Sequence, residues 1–140
     1  MRGETIQLFG GGRQVRDFNY IDDVVDANVL VLSDARAVGR VFNVGGGQAV
    51  TTREFADIVM RHYGSAQCGM VTGEYRFGDT RHILSDISAL RELGWEAQRT
   101  PADSVAAYAE WLKGMDGLDG VLAAANAQMR SLGVVRKATG

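Results

Sequence analysis

Two short stretches of this sequence concentrate side chains able to grip an anion. Arg16 stands in the run Val15-Arg16-Asp17-Phe18, and Arg76, Asp79, Arg81 and His82 gather around Gly78 in the run YRFGDTRH at 75–82. A guanidinium presents a rigid planar fork of donors, so a pair of arginines from separate loops suits a diphosphate. Taken singly, each stretch also reads as ordinary surface. Arg16 beside Asp17 fits an exposed ion pair of little energetic weight, and 75–82 fits a solvated loop. The wider composition leaves both meanings open. Of the 15 basic residues only Lys113 and Lys137 are lysines, a bias that suits phosphate recognition and that GC-rich coding also produces.

Other chemistries find less support. A dinucleotide fingerprint needs G-x-G-x-x-G between a strand and a helix, because a Cβ would block close approach of the pyrophosphate. Gly45 and Gly47 begin such a pattern, but Val50 stands where its third glycine belongs, and Gly10–Gly12 lead into an extended segment instead of a helix. Both clusters read as tight turns. A Tyr-x-x-x-Lys acid/base pair is absent: Tyr20, Tyr63, Tyr75 and Tyr108 are followed four residues on by Val24, Gln67, Asp79 and Leu112. His62 and His82 have no Cys or Ser partner in a nucleophile motif, and no metal-ligand spacing occurs. No catalytic residue, cofactor-binding residue or metal ligand is assigned.

The elements that must position the arginines alternate between strand and helix. Residues 5–9 and 15–21 read as extended, flanking the first glycine cluster. Asp22 then reads as a cap for a helix through Val24, Val25, Ala27, Val29 and Leu32, apolar around most of its circumference and so expected to be buried on more than one side. Residues 41–44 (VFNV) read as a strand. Thr51 and Glu54 have capping-box spacing ahead of a helix carrying Phe55, Ile58, Val59 and Tyr63, which Gly64 ends. A strand around 69–75 follows, then a short helix capped by Asp86 with Ile87, Leu90 and Leu93. Thr100 and Pro101 open a further helix, a last one carries Leu118 to Leu132, and the ending VVRKATG reads as frayed. The pattern is α/β, with three to four short strands and about five helices, too few strands for a self-sufficient doubly wound sheet.

The chain has 140 residues and a formal charge of −2. That is one domain's worth of sequence with no global field favouring nucleic acid or an anionic membrane. Cys68 is alone, no 18-residue apolar run exists and no secretory leader is visible, so a cytoplasmic setting is expected.

The run GGGRQVRDFNYIDDVVDA at 10–27 resembles a signature of the extended short-chain dehydrogenases, the NAD-dependent nucleotide-sugar epimerases and dehydratases. So do VFNVGGG at 41–47 with its T-x-x-E helix, and RFGDTRH at 76–82 with SDIS at 85–88 and LGW at 93–95. The three motifs, in family order, cover about residues 3–113, and the tail is similar to that of dTDP-L-rhamnose 4-epimerase-like members. The resemblance implies that Arg16 and Arg76 hold the nucleotide diphosphate, that Asp79 meets the ribose hydroxyls, that Leu8 and Phe9 line the base, and that Asn43 reaches a phosphate or the sugar. Asp22 and Asp23 read as helix-capping residues in preference to substrate contacts. The family's glycine fingerprint, Tyr-x-x-x-Lys pair and dimerising helices have no counterpart in this sequence. Residues 1–117 therefore read as a nucleotide-sugar-binding portion of that fold, a small truncated extended short-chain dehydrogenase C-terminal part, and 118–140 as a C-terminal helix and tail.

Two functions follow from the resemblance. One is a truncated NDP-sugar epimerase or dehydratase that binds a dTDP- or UDP-linked sugar and is inactive alone, NAD belonging to the complete enzyme. The other is a binding or interaction module that pairs with itself or with a larger homologue. A homo-oligomer is expected, because helix 22–33 and strand 41–44 would normally face the missing half.

Overall fold

The computed structural model describes residues 6–64, 68–70, 73–117 and 120–137. Among these residues five helices and six short strands follow one another as an α/β chain. The strands are β1 (Ile6–Leu8), β2 (Val15–Asp17), β3 (Ala49–Thr51), β4 (Cys68–Met70), β5 (Glu74–Arg76) and β6 (Val135–Lys137). The helices are α1 (Ile21–Ser33), α2 (Thr52–Tyr63), α3 (Ser88–Glu92), α4 (Pro101–Lys113) and α5 (Val121–Ser131). The strands form three separate pairs instead of one sheet: β1 with β4 in parallel, β2 with β3 and β5 with β6 antiparallel.

Local chemistry accounts for most of the helix ends. Thr51 Oγ1 accepts from the Glu54 amide at 3.1 Å while the Glu54 carboxylate accepts from the Thr51 amide at 2.7 Å, so two orphan donors of α2 are satisfied reciprocally. Thr100 and Asp103 repeat the arrangement at α4, with Pro101 in the first turn where its missing N–H costs nothing. Gly64 ends α2 in the left-handed conformation. The two helices pack together, and Phe18 stacks on Phe55 of α2 with ring centroids 4.0 Å apart. A second cluster joins Ala27 of α1 to Ile87, Leu90 and Trp95, with Leu30, Val31, Phe42 and Val44 packed around it.

Several elements differ from the sequence reading. The first two extended pieces stop short, at Leu8 and Asp17, because Phe9–Gly12 form a turn with left-handed glycines and α1 already begins at Ile21. Asp22 and Asp23 form no cap hydrogen bond. Asp23 is 1% exposed and binds Arg99 instead. Residues 41–44 are irregular, and the strand falls later, at β3, where it can pair with β2. The segment 69–75 divides into β4 and β5 with different partners; residues 71–72 lie outside the described residues. Asp86 Oδ1 accepts from the Ser88 amide at 2.9 Å, so it does tie down the start of α3. The ending is not frayed over 135–137, since β6 pairs with β5; residues 138–140 lie outside the described residues.

α1 is covered on one side only, contrary to the expectation of burial on several. Val25, Val29 and Leu32 are 51%, 60% and 87% exposed, and Val41 is 92% exposed. The apolar circumference that the sequence shows is therefore half used within this chain.

Candidate functional site

The two anion-gripping stretches meet through their backbones. Val15 lies beside His82, whose Nδ1 accepts from the Val15 amide at 3.4 Å, and the Ile83 amide donates to the Val15 carbonyl at 3.2 Å. Arg16 Nη1 donates to the carbonyls of Val15 and Arg81, at 2.9 and 3.3 Å. Its guanidinium is thus held at the end of the 75–82 segment.

Arg76 sits at the centre of the site, at the end of β5. A cleft of ≈ 140 Å³ is lined by Gln7, Leu8, Phe9, Gln14, Thr52, Arg76 and Asp79. A neighbouring cleft of ≈ 280 Å³ shares Gln14, Arg76 and Asp79 with it and adds Gly10, Tyr75 and Arg81. The Arg76 guanidinium lies 5.1 Å from the Phe9 ring centroid, within range of a cation–π contact. Its Nε is buried without a hydrogen-bond partner, and so is Thr52 Oγ1. A buried donor left unmade costs about 1–3 kcal/mol, so two such atoms on one cleft need an explanation.

The glycine-rich turn beside Leu8 allows this geometry. Gly10, Gly11 and Gly12 have φ of 61, 73 and 72°, values that residues with a Cβ rarely adopt. That turn joins β1 to β2, and Phe9 and Gln14 on either side of it line the same cleft.

The second glycine cluster does different work. Asp17 Oδ1 accepts from the Gly46 amide at 2.8 Å and Oδ2 from the Ser85 amide at 3.0 Å, tying three chain segments together. A Cβ on Gly46 would lie 2.0 Å from the Phe18 carbonyl oxygen, and one on Gly45 would lie 2.3 Å from Asp17 Oδ2. The close approach that excludes side chains here is made to protein. Asp17 is accordingly a structural tether, not a surface ion-pair partner of Arg16.

With this geometry in place, the comparisons with known proteins converge. Residues 1–45 match the model of the NAD dependent epimerase/dehydratase family. The chain is 36% identical over 110 residues to a dTDP-L-rhamnose 4-epimerase of Burkholderia thailandensis, covering 78% of this chain and 30% of that protein. It is 34% identical over 117 residues to a UDP-glucose 4-epimerase of Mycolicibacterium smegmatis, covering 81% of this chain and 36% of that protein. The crystal structure of UDP-glucose 4-epimerase with UDP-glucose from Thermotoga maritima superposes with a TM-score of 0.69 at 31% identity, over 80% of this chain and 36% of that one. Over most of its length the chain matches a portion of NAD-dependent NDP-sugar epimerases and dehydratases. It spans about a third of the length of the relatives it matches.

In this chain Leu8, Phe9, Arg76 and Asp79 come together at one cleft. Arg16 adjoins it through the Arg81 carbonyl, while Arg81 itself lines the neighbouring cleft. Asn43 lies elsewhere: its Nδ2 donates to the Asp86 carbonyl at 3.5 Å, between the irregular 41–44 segment and α3. Sequence reading missed Gln14 and Thr52 as cleft residues. Gln14 lies in the quoted signature, but only the folded turn shows where it faces, and Thr52 was hidden beside the stronger capping signal of Thr51. A larger cleft of ≈ 710 Å³ between α2 and α4 is apolar, lined by Phe55, Val59, Val105 and Tyr108 among others, and contains none of the residues proposed from the sequence. Among the described residues no cluster could hold a metal ion, and no helix is long and apolar enough to cross a membrane.

Proposed function

We propose that this chain binds the nucleotide diphosphate part of a dTDP- or UDP-linked sugar, as a portion of a cytoplasmic NDP-sugar epimerase or dehydratase. The observation that carries the reading is the pairing of Arg76 Nε and Thr52 Oγ1, both buried and unpartnered, at a cleft walled by Leu8 and Phe9. A phosphate oxygen would accept from Arg76, and the flat apolar wall suits a base. Arg16 and Asp79 complete the set as a second phosphate contact and a ribose contact. Relatives named for UDP- and dTDP-sugars support the ligand class.

The residues present do not fit NAD. Gly45 and Gly46 pack against Asp17 and Phe18, where a pyrophosphate would have to lie, and Gly10–Gly12 form a turn between two strands with no helix following directly. In this reading the chain alone neither holds NAD nor turns over a nucleotide sugar. Calorimetric titration of UDP and dTDP into the protein and into Arg76→Ala tests it. Micromolar to millimolar binding, weakened about tenfold or more by the substitution, is expected from the loss of one charge-assisted contact. Equal binding by both proteins refutes the assignment of Arg76.

A second reading, self-association, is favoured by the uncovered face of α1. Val25, Val29, Leu32 and Val41 are more than half exposed, and burying a side chain of this size is worth about 1.5–3 kcal/mol. We propose that a second copy covers this face. Light scattering on the wild type and on a Val29→Lys/Leu32→Lys variant is expected to show a dimer that the variant converts to monomer. A folded monomer in both cases removes this reading.

A further inference from the structure

We infer that the C-terminal segment 120–137 is a clasp that fixes the position of Arg76, an inference that rests on the nucleotide-binding reading above. Four contacts carry it. β6 pairs along the whole of β5, with Val135 opposite Arg76 itself. The Phe77 amide, next in the chain, donates to the Val134 carbonyl at 2.7 Å. Arg136 lies over the Phe77 ring, its guanidinium carbon 3.6 Å from the centroid. Arg130 of α5 forks onto the Glu74 carboxylate at 3.2 and 3.0 Å and holds its pKa below the usual range.

These contacts bracket Arg76 on both sides, at Glu74 and at Phe77. Among the described residues β5 has no other strand partner, because its other neighbour, the turn at Phe9–Gly12, is not a strand. An isolated three-residue strand does not hold its geometry in water. Arg76 Nε can await an acceptor while buried only if its backbone is prevented from swinging the side chain into solvent. The segment is otherwise poorly buried: most of α5 is exposed and it contributes no buried residue. A helix with no core to build, joined to a strand that closes on the arginine, fits a positioning role.

A double variant, Arg130→Gln/Arg136→Gln, leaves every proposed cleft residue in place and removes the two side-chain attachments of the clasp. Far-UV circular dichroism checks that the fold is retained. Expected in the full chain are amide exchange at Phe77 at least about tenfold faster, a shifted Arg76 Nε–H resonance, and a UDP dissociation constant raised about three- to tenfold. Restoring charge with Arg130→Lys/Arg136→Lys should recover part of the affinity. If Arg76→Ala abolishes UDP binding while the double variant binds like wild type, the clasp is overturned and the binding reading stands. If the wild type binds no UDP, the binding reading falls. The Arg76 resonance then decides the clasp, an unchanged signal in the double variant overturning it.

Discussion

Arg99 and Arg76 are both half-shielded arginines near aromatic rings, yet their surroundings differ in kind. Arg99 is paired. Its Nη1 donates to Asp23 Oδ1 at 2.7 Å and to Asp26 Oδ2 at 3.2 Å, its backbone amide serves Asp23 Oδ2 at 3.1 Å, and Tyr20 lies 5.5 Å from its guanidinium carbon. Arg76 has the Phe9 ring on one side and a buried Nε with nothing to bind. One arginine completes a fold, and the other holds donor capacity that the fold does not use. Protein structures rarely leave such a group unmade; Arg76 Nε shares that condition with Thr52 Oγ1 on the same cleft and with Asn19 Oδ1 at the apolar cleft.

The largest effect is expected from breaking the paired member. Arg99→Gln would leave Asp23, 1% exposed, without its charged partner. Stranding a buried carboxylate in this way costs about 3–5 kcal/mol, because desolvation is no longer offset. Urea denaturation should show a large fall in midpoint with little change in slope. Arg76→Ala is the contrasting member: it gives up the Phe9 contact but also relieves a buried unmade donor, so stability should stay within about 1 kcal/mol of wild type while UDP binding weakens about tenfold or more. Equal destabilisation by the two variants would erase the distinction between them.

An intermediate effect tests the other contrast, between the two glycine clusters. Gly46→Ala places a methyl group 2.0 Å from the Phe18 carbonyl, an atom of the backbone that cannot simply rotate away. Overpacking of this kind costs about 1–3 kcal/mol. Gly11→Ala meets nothing closer than Arg13 Cζ at 3.9 Å, so its cost comes only from its φ of 73° and should be smaller, about 1 kcal/mol. Thermal denaturation of both variants measures the order. The reverse order would mean that Gly46 can move and that Asp17 is a weaker tether than its two short hydrogen bonds suggest.

Signals that act over three or four residues were legible in the sequence: both capping boxes, the Gly64 stop, the Pro101 start and the α/β alternation. So was the gathering of Leu8, Phe9, Arg76 and Asp79, through the family signature. What was not legible depended on partners distant in the chain. Residues 41–44 look like a strand by composition, but strand formation needs a neighbour, and β2 found 49–51 instead. Val135–Lys137 look like a loose end by position, yet β5 offers an edge that they close. Asp22 and Asp23 look like caps, but Asp23 meets Arg99, 76 residues away in the chain. The glycines of 45–47 looked like a turn, and the tether that requires them is visible only when Asp17 and Ser85 are brought alongside.

The smallest expected effect separates electrostatics of the fold from those of the site. Asp34 accepts from the Arg36 side chain and then from its backbone amide, which hold its pKa at about 2 against the usual 3.8. Glu54 and Asp103 are lowered by the donors of their capping boxes, and Glu74 by Arg130. A carboxylate whose folded pKa is depressed binds its proton more readily in the unfolded chain. The stability it contributes is present above the unfolded value and is lost as pH falls through the folded one. Stability should therefore hold on the acid side down to about pH 4.5 and decline from there toward about pH 2. Asp34→Asn should flatten the lower end of that decline and lower stability at pH 7 by the same small amount, since its partner Arg36 is 60% exposed and such a pairing is weak. UDP binding by Asp34→Asn at pH 7 should match the wild type, because Asp34 lies outside both arginine clefts. Denaturation midpoints measured between pH 2 and 7 on the two proteins check the sign. An acid limb unchanged by the substitution would place the proton uptake on carboxylates other than Asp34.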